Sequence, residues 1–166
     1  MIFGISTAAY TAIHVALSLV GIVSGFVVVL GLLSGKRLNG LTALFLASTV
    51  ATSLTGFGFP FHQLLPAHKV GILSLVVLAV AILARYVLHL AGAWRWIYVV
   101  CAVMALYLNV FVLVVQGFLK VPALKAMAPT QSEPPFLVAQ LILLVLFIVL
   151  TIFAVRRFRG EALRTP

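Results

Sequence analysis

Acidic residues are almost absent from this chain: Glu133 and Glu161 are the only two among 166 residues, and there is no aspartate. That scarcity excludes paired carboxylates for acid/base catalysis, carboxylate cages for calcium or magnesium, and the intramembrane Asp/Glu relays of many proton-coupled pumps. It also leaves a serine hydrolase with only two glutamates, in a loop and a tail, to orient a histidine, and the sequence contains no HExxH, nucleophile elbow or P-loop. These absences weigh against an enzyme. Cysteine is equally scarce. Cys101 stands alone inside an apolar run, which rules out intramolecular disulfides, CxxC redox chemistry and multi-cysteine metal sites, and it is expected to be a small packing residue.

Charge of any sign is sparse, at 8% of residues against 64% hydrophobic, with a mean hydropathy of +1.30. An ordinary soluble domain is about half apolar and about a quarter charged. This chain has too little polar surface to cover a soluble fold. Its net charge of +9 comes from basic residues scattered in short clusters between long apolar runs, so no continuous basic face exists for nucleic acid.

Five apolar segments are each long enough for the ~20 residues a helix needs to cross a bilayer core of ~30 Å. They run over 8–34, 40–60, 70–90, 95–119 and 136–156. The expected fold is an all-α integral membrane protein, one bundle of about five transmembrane helices with no separate soluble domain. The first stretch lacks a basic n-region and a convincing cleavage site and far exceeds a signal peptide's apolar core of about 7 to 15 residues, so it is read as a retained span. The block 70–119 is too long for one span, and Arg85, His89, Gly92 and Arg95 mark an aqueous crossing in its middle. Trp94, Trp96 and Tyr98 stand where an interfacial aromatic belt belongs.

Counting Lys and Arg on alternating sides orients the bundle. One side collects Lys36, Arg37, Arg85, Arg95, Arg156, Arg157, Arg159 and Arg164; the other has only Lys69, Lys120 and Lys125. The N-terminus is therefore placed outside and the C-terminus in the cytoplasm. Arg156, Arg157 and Arg159 are expected to meet anionic lipid, each worth about 1 kcal/mol near a charged surface. The other expected partners are the lipid bilayer itself and either further copies of the chain or a larger membrane complex.

Small residues inside spans are explained as packing before function. Gly21 and Gly25 form a GxxxG step with Ser18 on the same face, and Ser48, Thr49, Thr52, Ser53, Thr55 and Gly56 make a similar surface on the second span. Histidines are more informative, because a neutral imidazole ligates haem iron, copper or zinc and exchanges a proton with a quinone. His14 lies near the outer end of the first span, and His62 and His68 fall in the second break, so three of the four histidines are on the outer side. These three are the candidate metal or haem ligands, although neither His62 nor His68 is deep in a span. His89, one turn after Arg85, reads as part of a lipid-headgroup or interfacial pair on the other side rather than as a ligand.

Asn109, Gln116 and Lys120 share one face of the fourth span, and Gln140 reaches a similar depth on the fifth. Together with His14 they outline an outward-open pocket, the candidate ligand site being His14, His62, His68, Asn109, Gln116, Lys120 and Gln140. The loop 121–135 has four prolines that rigidify it, and Glu133 within it has Lys69, Lys120 and Lys125 as candidate ion-pair partners. A lid over the pocket is its functional reading.

Tyr107-Leu108-Asn109-Val110-Phe111, the stretch Pro129-Thr130-Gln131-Ser132-Glu133-Pro134-Pro135-Phe136, and Thr55-Gly56-Phe57-Gly58-Phe59-Pro60-Phe61 resemble a group of small uncharacterised bacterial inner-membrane proteins. The resemblance implies a bacterial cytoplasmic membrane and brings no activity with it. Three functions stay open: binding of a small hydrophobic or redox ligand such as a quinone, lipid, haem or metal near the outer face; a non-catalytic accessory or assembly subunit of a larger membrane complex; and an oligomeric transporter or channel.

Overall fold

The computed structural model describes residues 1–2, 4–59 and 66–158. They form α1 (Thr7–Leu33), α2 (Asn39–Gly56), α3 (Pro66–Ile82) continued by a π-helical turn over Leu83–Val87, α4 (Trp94–Lys120), the short α5 (Pro122–Met127) and α6 (Pro134–Phe158). No β-strand occurs among the described residues; a single bridge pairs Ile2 with Ile5. Among the described residues four helices are long and apolar enough to cross a membrane: α1, His68–Val87, α4 and α6. α2 is not among them. Its six hydroxyl residues, Thr42, Ser48, Thr49, Thr52, Ser53 and Thr55, lower its hydropathy, and its 18 residues span about 27 Å at 1.5 Å per residue.

Local chemistry sets the ends. Ser6 caps α1 by accepting from the Ala9 N–H at 3.1 Å. Gly35, at φ +70°, closes it with a left-handed turn in which Lys36 N–H returns to Gly31 O at 2.8 Å. Val121 is extended before Pro122, as a residue preceding proline prefers, and that ends α4. After the π turn, His89 and Leu90 both take positive φ, 49° and 58°, and Leu90 N–H bonds Ala84 O at 2.9 Å, which reverses the chain into α4. The crossing expected near Arg85 to Arg95 is this turn.

α4 is the centre of the bundle. Tyr98, Val99, Ala102, Val103, Ala105 and Leu106 are at most 1% exposed and meet residues of α1, α2, α3 and α6. α1 and α2 approach closely because Gly25 leaves no side chain in the way: a Cβ there would lie 2.7 Å from Leu106 Cδ1 and 2.8 Å from Phe45 Cε2. The GxxxG step is thus a close-packing device. α6 has the least cover: 6% of its most apolar stretch is buried inside the bundle.

The helices share two ends. At one, His14 of α1 meets Thr55 of α2, Phe57 meets His68 of α3, and Phe118 of α4 meets Phe136 of α6. At the other, Asn39 of α2 bonds Arg85, Tyr98 of α4 meets Phe158 of α6, and Gly35 lies against the Arg157 carbonyl. α2 has contacts at both ends and so runs the depth of the bundle.

Candidate functional site: a polar file between α1, α2 and α4

Seen from α1, the polar groups rise on one face. Gly21, Ser18 and His14 succeed one another at intervals of three and four residues, the spacing that stacks side chains on a helix. At the base, Asn109 of α4 is 9% exposed and accepts the Ser18 hydroxyl on Oδ1 at 3.2 Å. Its Nδ2 has no acceptor among the described residues. Around the same point, the Cβ position of Gly21 lies 2.9 Å from Thr49 Oγ1, 3.1 Å from Asn109 Nδ2 and 3.3 Å from Ser48 Oγ. The absent side chain of Gly21 is what lets three polar groups from two helices converge there.

The α2 hydroxyls are mostly spent on their own helix. Ser48 donates to Leu44 O, Thr49 to Phe45 O, Thr52 to Ser48 O and Thr55 to Ala51 O, at 2.7 to 2.9 Å. Back-bonding of this kind satisfies the proton and leaves oxygen lone pairs facing the helix junction. They present acceptors, with Asn109 Nδ2 as the unused donor.

At the top of the file His14 Nδ1 lies 2.8 Å from Thr55 Oγ1. Because the Thr55 hydroxyl donates to Ala51 O, it accepts from His14, which assigns the proton to Nδ1 and leaves Nε2 as an acceptor. Phe59 packs edge-on against the His14 ring at 5.3 Å and against Tyr10 at 5.1 Å, and Tyr10 Oη donates to Thr55 O at 2.7 Å. Lys120, at the end of α4, lies within electrostatic range of His14. A depression beside this file, lined by Thr7, Thr11, Ala12, Val15, Ala16 and Leu19, opens on the outer surface of α1.

The seven candidate residues separate. His14 and Asn109 belong to the file, and Lys120 continues the Asn109 face to the surface. Gln116 is on that face and half-buried, with no side-chain hydrogen bond among the described residues. Gln140 is elsewhere: its Nε2 donates to Phe111 O on another face of α4 at 3.3 Å, and its Oε1 is buried without a partner. His68, 6% exposed, packs on Phe57 with ring centroids 5.6 Å apart. His62 lies outside the described residues, and among those described no three of His, Cys, Asp and Glu gather into a group that could hold a metal.

Sequence reasoning put Ser18 and Gly21 down to packing before function. The i, i+4 step from His14 to Ser18 and the i, i+3 step from Ser18 to Gly21 were the available signal; the hydroxyl-to-Asn109 bond was not.

The loop 121–135 differs from expectation. Glu133 makes no ion pair with Lys69, Lys120 or Lys125. Its carboxylate accepts from Thr130 Oγ1 at 2.9 Å, Thr130 N–H at 3.1 Å and Ser132 N–H at 3.1 Å. Partial desolvation raises its pKa, but these bonds together outweigh it and hold the carboxyl below its ordinary value. Fixed donors one and three residues away compete better than mobile lysines at an exposed surface. Gln131, at φ 60°, pins the loop to α4 by donating to Val115 O at 2.9 Å.

Comparison with known protein families, curated proteins and solved structures yields no match for this chain. The fold defines the class: an all-helical bundle with four helices of membrane-crossing length and hydropathy.

Proposed function

We propose that this chain is a five-span protein of the bacterial cytoplasmic membrane, N-terminus outside, that binds a small amphipathic ligand through the polar file. The fifth span is α2, supported by its contacts at both ends of the bundle. Orientation rests on the basic residues: Lys36, Arg37, Arg85, Arg95, Arg156 and Arg157 gather at one end, against Lys69, Lys120 and Lys125 at the other.

The observation that carries the ligand reading is the Asn109 carboxamide, buried at mid-bundle with an unused donor. A buried donor without an acceptor costs about 1–3 kcal/mol, which a ligand carbonyl or ordered water would recover. His14 Nε2, an acceptor nearer the outer end, is the complementary group. A hydrophobic molecule with two separated hydroxyls, one donating to His14 and the other accepting from Asn109, matches this pair, as a quinol does.

The test is to purify the full chain in mild detergent, extract it with organic solvent for mass spectrometry, and titrate the stripped protein with a short-chain benzoquinol kept reduced under nitrogen. Saturable binding that weakens about tenfold in His14→Ala and in Asn109→Leu is expected, each loss being one hydrogen bond of about 1.4 kcal/mol. No extractable ligand and no saturable binding would refute the reading. A visible spectrum and metal analysis test the haem, copper and zinc alternatives on the same sample.

A second reading, an accessory subunit of a larger membrane complex, draws on α6. Leu137, Leu141, Ile142, Val145, Ile148 and Phe153 are all at least 50% exposed along it. Co-purification of a partner released by polar substitution on that face would favour it.

A further inference from the structure

At the end of the bundle opposite the polar file, Arg85 stands between the starts of α2 and α4. Its Nη2 donates to Asn39 Oδ1, on the first residue of α2, at 2.6 Å, and its guanidinium lies 5.2 Å from the ring centroid of Tyr98, just inside α4. It also covers Tyr86, at 5.7 Å. The expected pairing of Arg85 with His89 is replaced by these contacts.

Neither helix start has a side-chain cap. The N–H groups of Gly40 and Leu41 on α2, and of Arg95 and Trp96 on α4, find no acceptor among the described residues. Tyr98, 0% exposed, turns its hydroxyl toward Thr42 and Arg85 yet has no hydrogen-bond partner of good geometry. Lys36 and Arg37 precede α2 directly, Arg157 comes up against Gly35, and no acidic residue is described at this end.

Each helix N-terminus carries about half a positive charge, and open N–H groups there bind anions. Two such ends with a half-buried guanidinium between them make a convergent anion site, and a guanidinium held flat by aromatic rings presents its remaining N–H groups as a fork suited to phosphate. Tyr86 and Trp96, 48% and 45% exposed, flank it as residues of an interfacial aromatic belt do, so the site faces the headgroup layer. We infer that this junction binds the phosphate of an anionic phospholipid in the adjoining leaflet. The inference is independent of the ligand proposed at the other end.

The test titrates the detergent-purified full chain with phosphatidylglycerol or phosphatidylcholine, read by native mass spectrometry. Phosphatidylglycerol is expected to be retained about tenfold better. Arg85→Gln should abolish that preference, and Tyr98→Phe should reduce it several-fold while keeping the packed ring, so the proposal stays testable if Arg85→Gln fails to fold. Lys125→Gln removes the same charge from an exposed position at the opposite end and should leave the preference intact. Equal retention of the two lipids, or an equal loss in Lys125→Gln and Arg85→Gln, would overturn the assignment. Displacement of the lipid by millimolar inorganic phosphate would overturn it too, in favour of a free-phosphate site.

Discussion

Asn109→Leu separates what the bundle needs from what a ligand needs. Asn109 is 9% exposed, its Oδ1 accepts one hydrogen bond from Ser18 at 3.2 Å, and its Nδ2 has none. Removing an unsatisfied buried donor returns about 1–3 kcal/mol, whereas an interhelical hydrogen bond within a bilayer averages about 0.6 kcal/mol. Leucine has the same branching, and the freed Ser18 hydroxyl can bond the carbonyl of His14 four residues back. The slot beside Gly21 is tight, which keeps the gain modest. The ligand-free variant should therefore be more stable by roughly 0.5–2 kcal/mol. Unfolding in mixed micelles of mild detergent and dodecyl sulfate, followed by far-UV circular dichroism, should show its midpoint moved to higher dodecyl sulfate. Quinol binding should fall in the same variant. A variant destabilised by more than about 1 kcal/mol would refute the reasoning, because Nδ2 would then be satisfied and the cluster structural. A stabilised variant with undiminished binding would leave the packing argument standing and remove Asn109 from the site.

Gly25→Ala places a methyl 2.7 Å from Leu106 and 2.8 Å from Phe45, both 0% exposed, so neither has room to yield. The same unfolding assay should register a loss of about 1–3 kcal/mol, while Gly40→Ala, with nothing within 4 Å, should cost nothing. Glu133 has a lowered folded pKa, so its hold on the loop 121–135 is present above the ordinary carboxylate range and is lost as pH falls through the folded value. Hydrogen exchange of 121–135, corrected for intrinsic rates, should accelerate at acid pH in the native chain. In Glu133→Gln it should be fast throughout; an unchanged acid response there would implicate another group. With Cys101 replaced by alanine, single cysteines at Lys125 and Arg156 should react with an impermeant maleimide from opposite sides of the membrane. Labelling from one side would reject the five-span topology.

How much of this was legible in the residues differs between lengthwise and lateral features. The apolar runs ending at 34, 119 and 156 match helices ending at Leu33, Lys120 and Phe158 within two residues, because hydropathy and proline or glycine punctuation act along the chain. The second run, taken to 60, stops as α2 at Gly56, and α5 inside the proline loop was not anticipated. α2 also falls short of the hydropathy of its neighbours, since its hydroxyls face protein, where Thr42 and Thr49 are 1% exposed.

Lateral relations were a different matter. The face shared by Asn109, Gln116 and Lys120 follows from helical periodicity alone. That this face meets Ser18 and His14, that Gln140 turns to a separate face of α4, and that His68 packs on Phe57 depend on how each helix is rotated about its axis. Helix rotation in a lipid-like surrounding is set by small differences in packing, such as the gap left by Gly21 and Gly25, and hydropathy is nearly blind to it. By itself, then, the sequence determined a membrane-type helical bundle, its breaks and its charge asymmetry, since each of these is a property of one segment and its solvent. Only the tertiary structure decided which polar groups meet, both at the Asn109 file and at Arg85, because those meetings require three helices to present particular faces to one another at once.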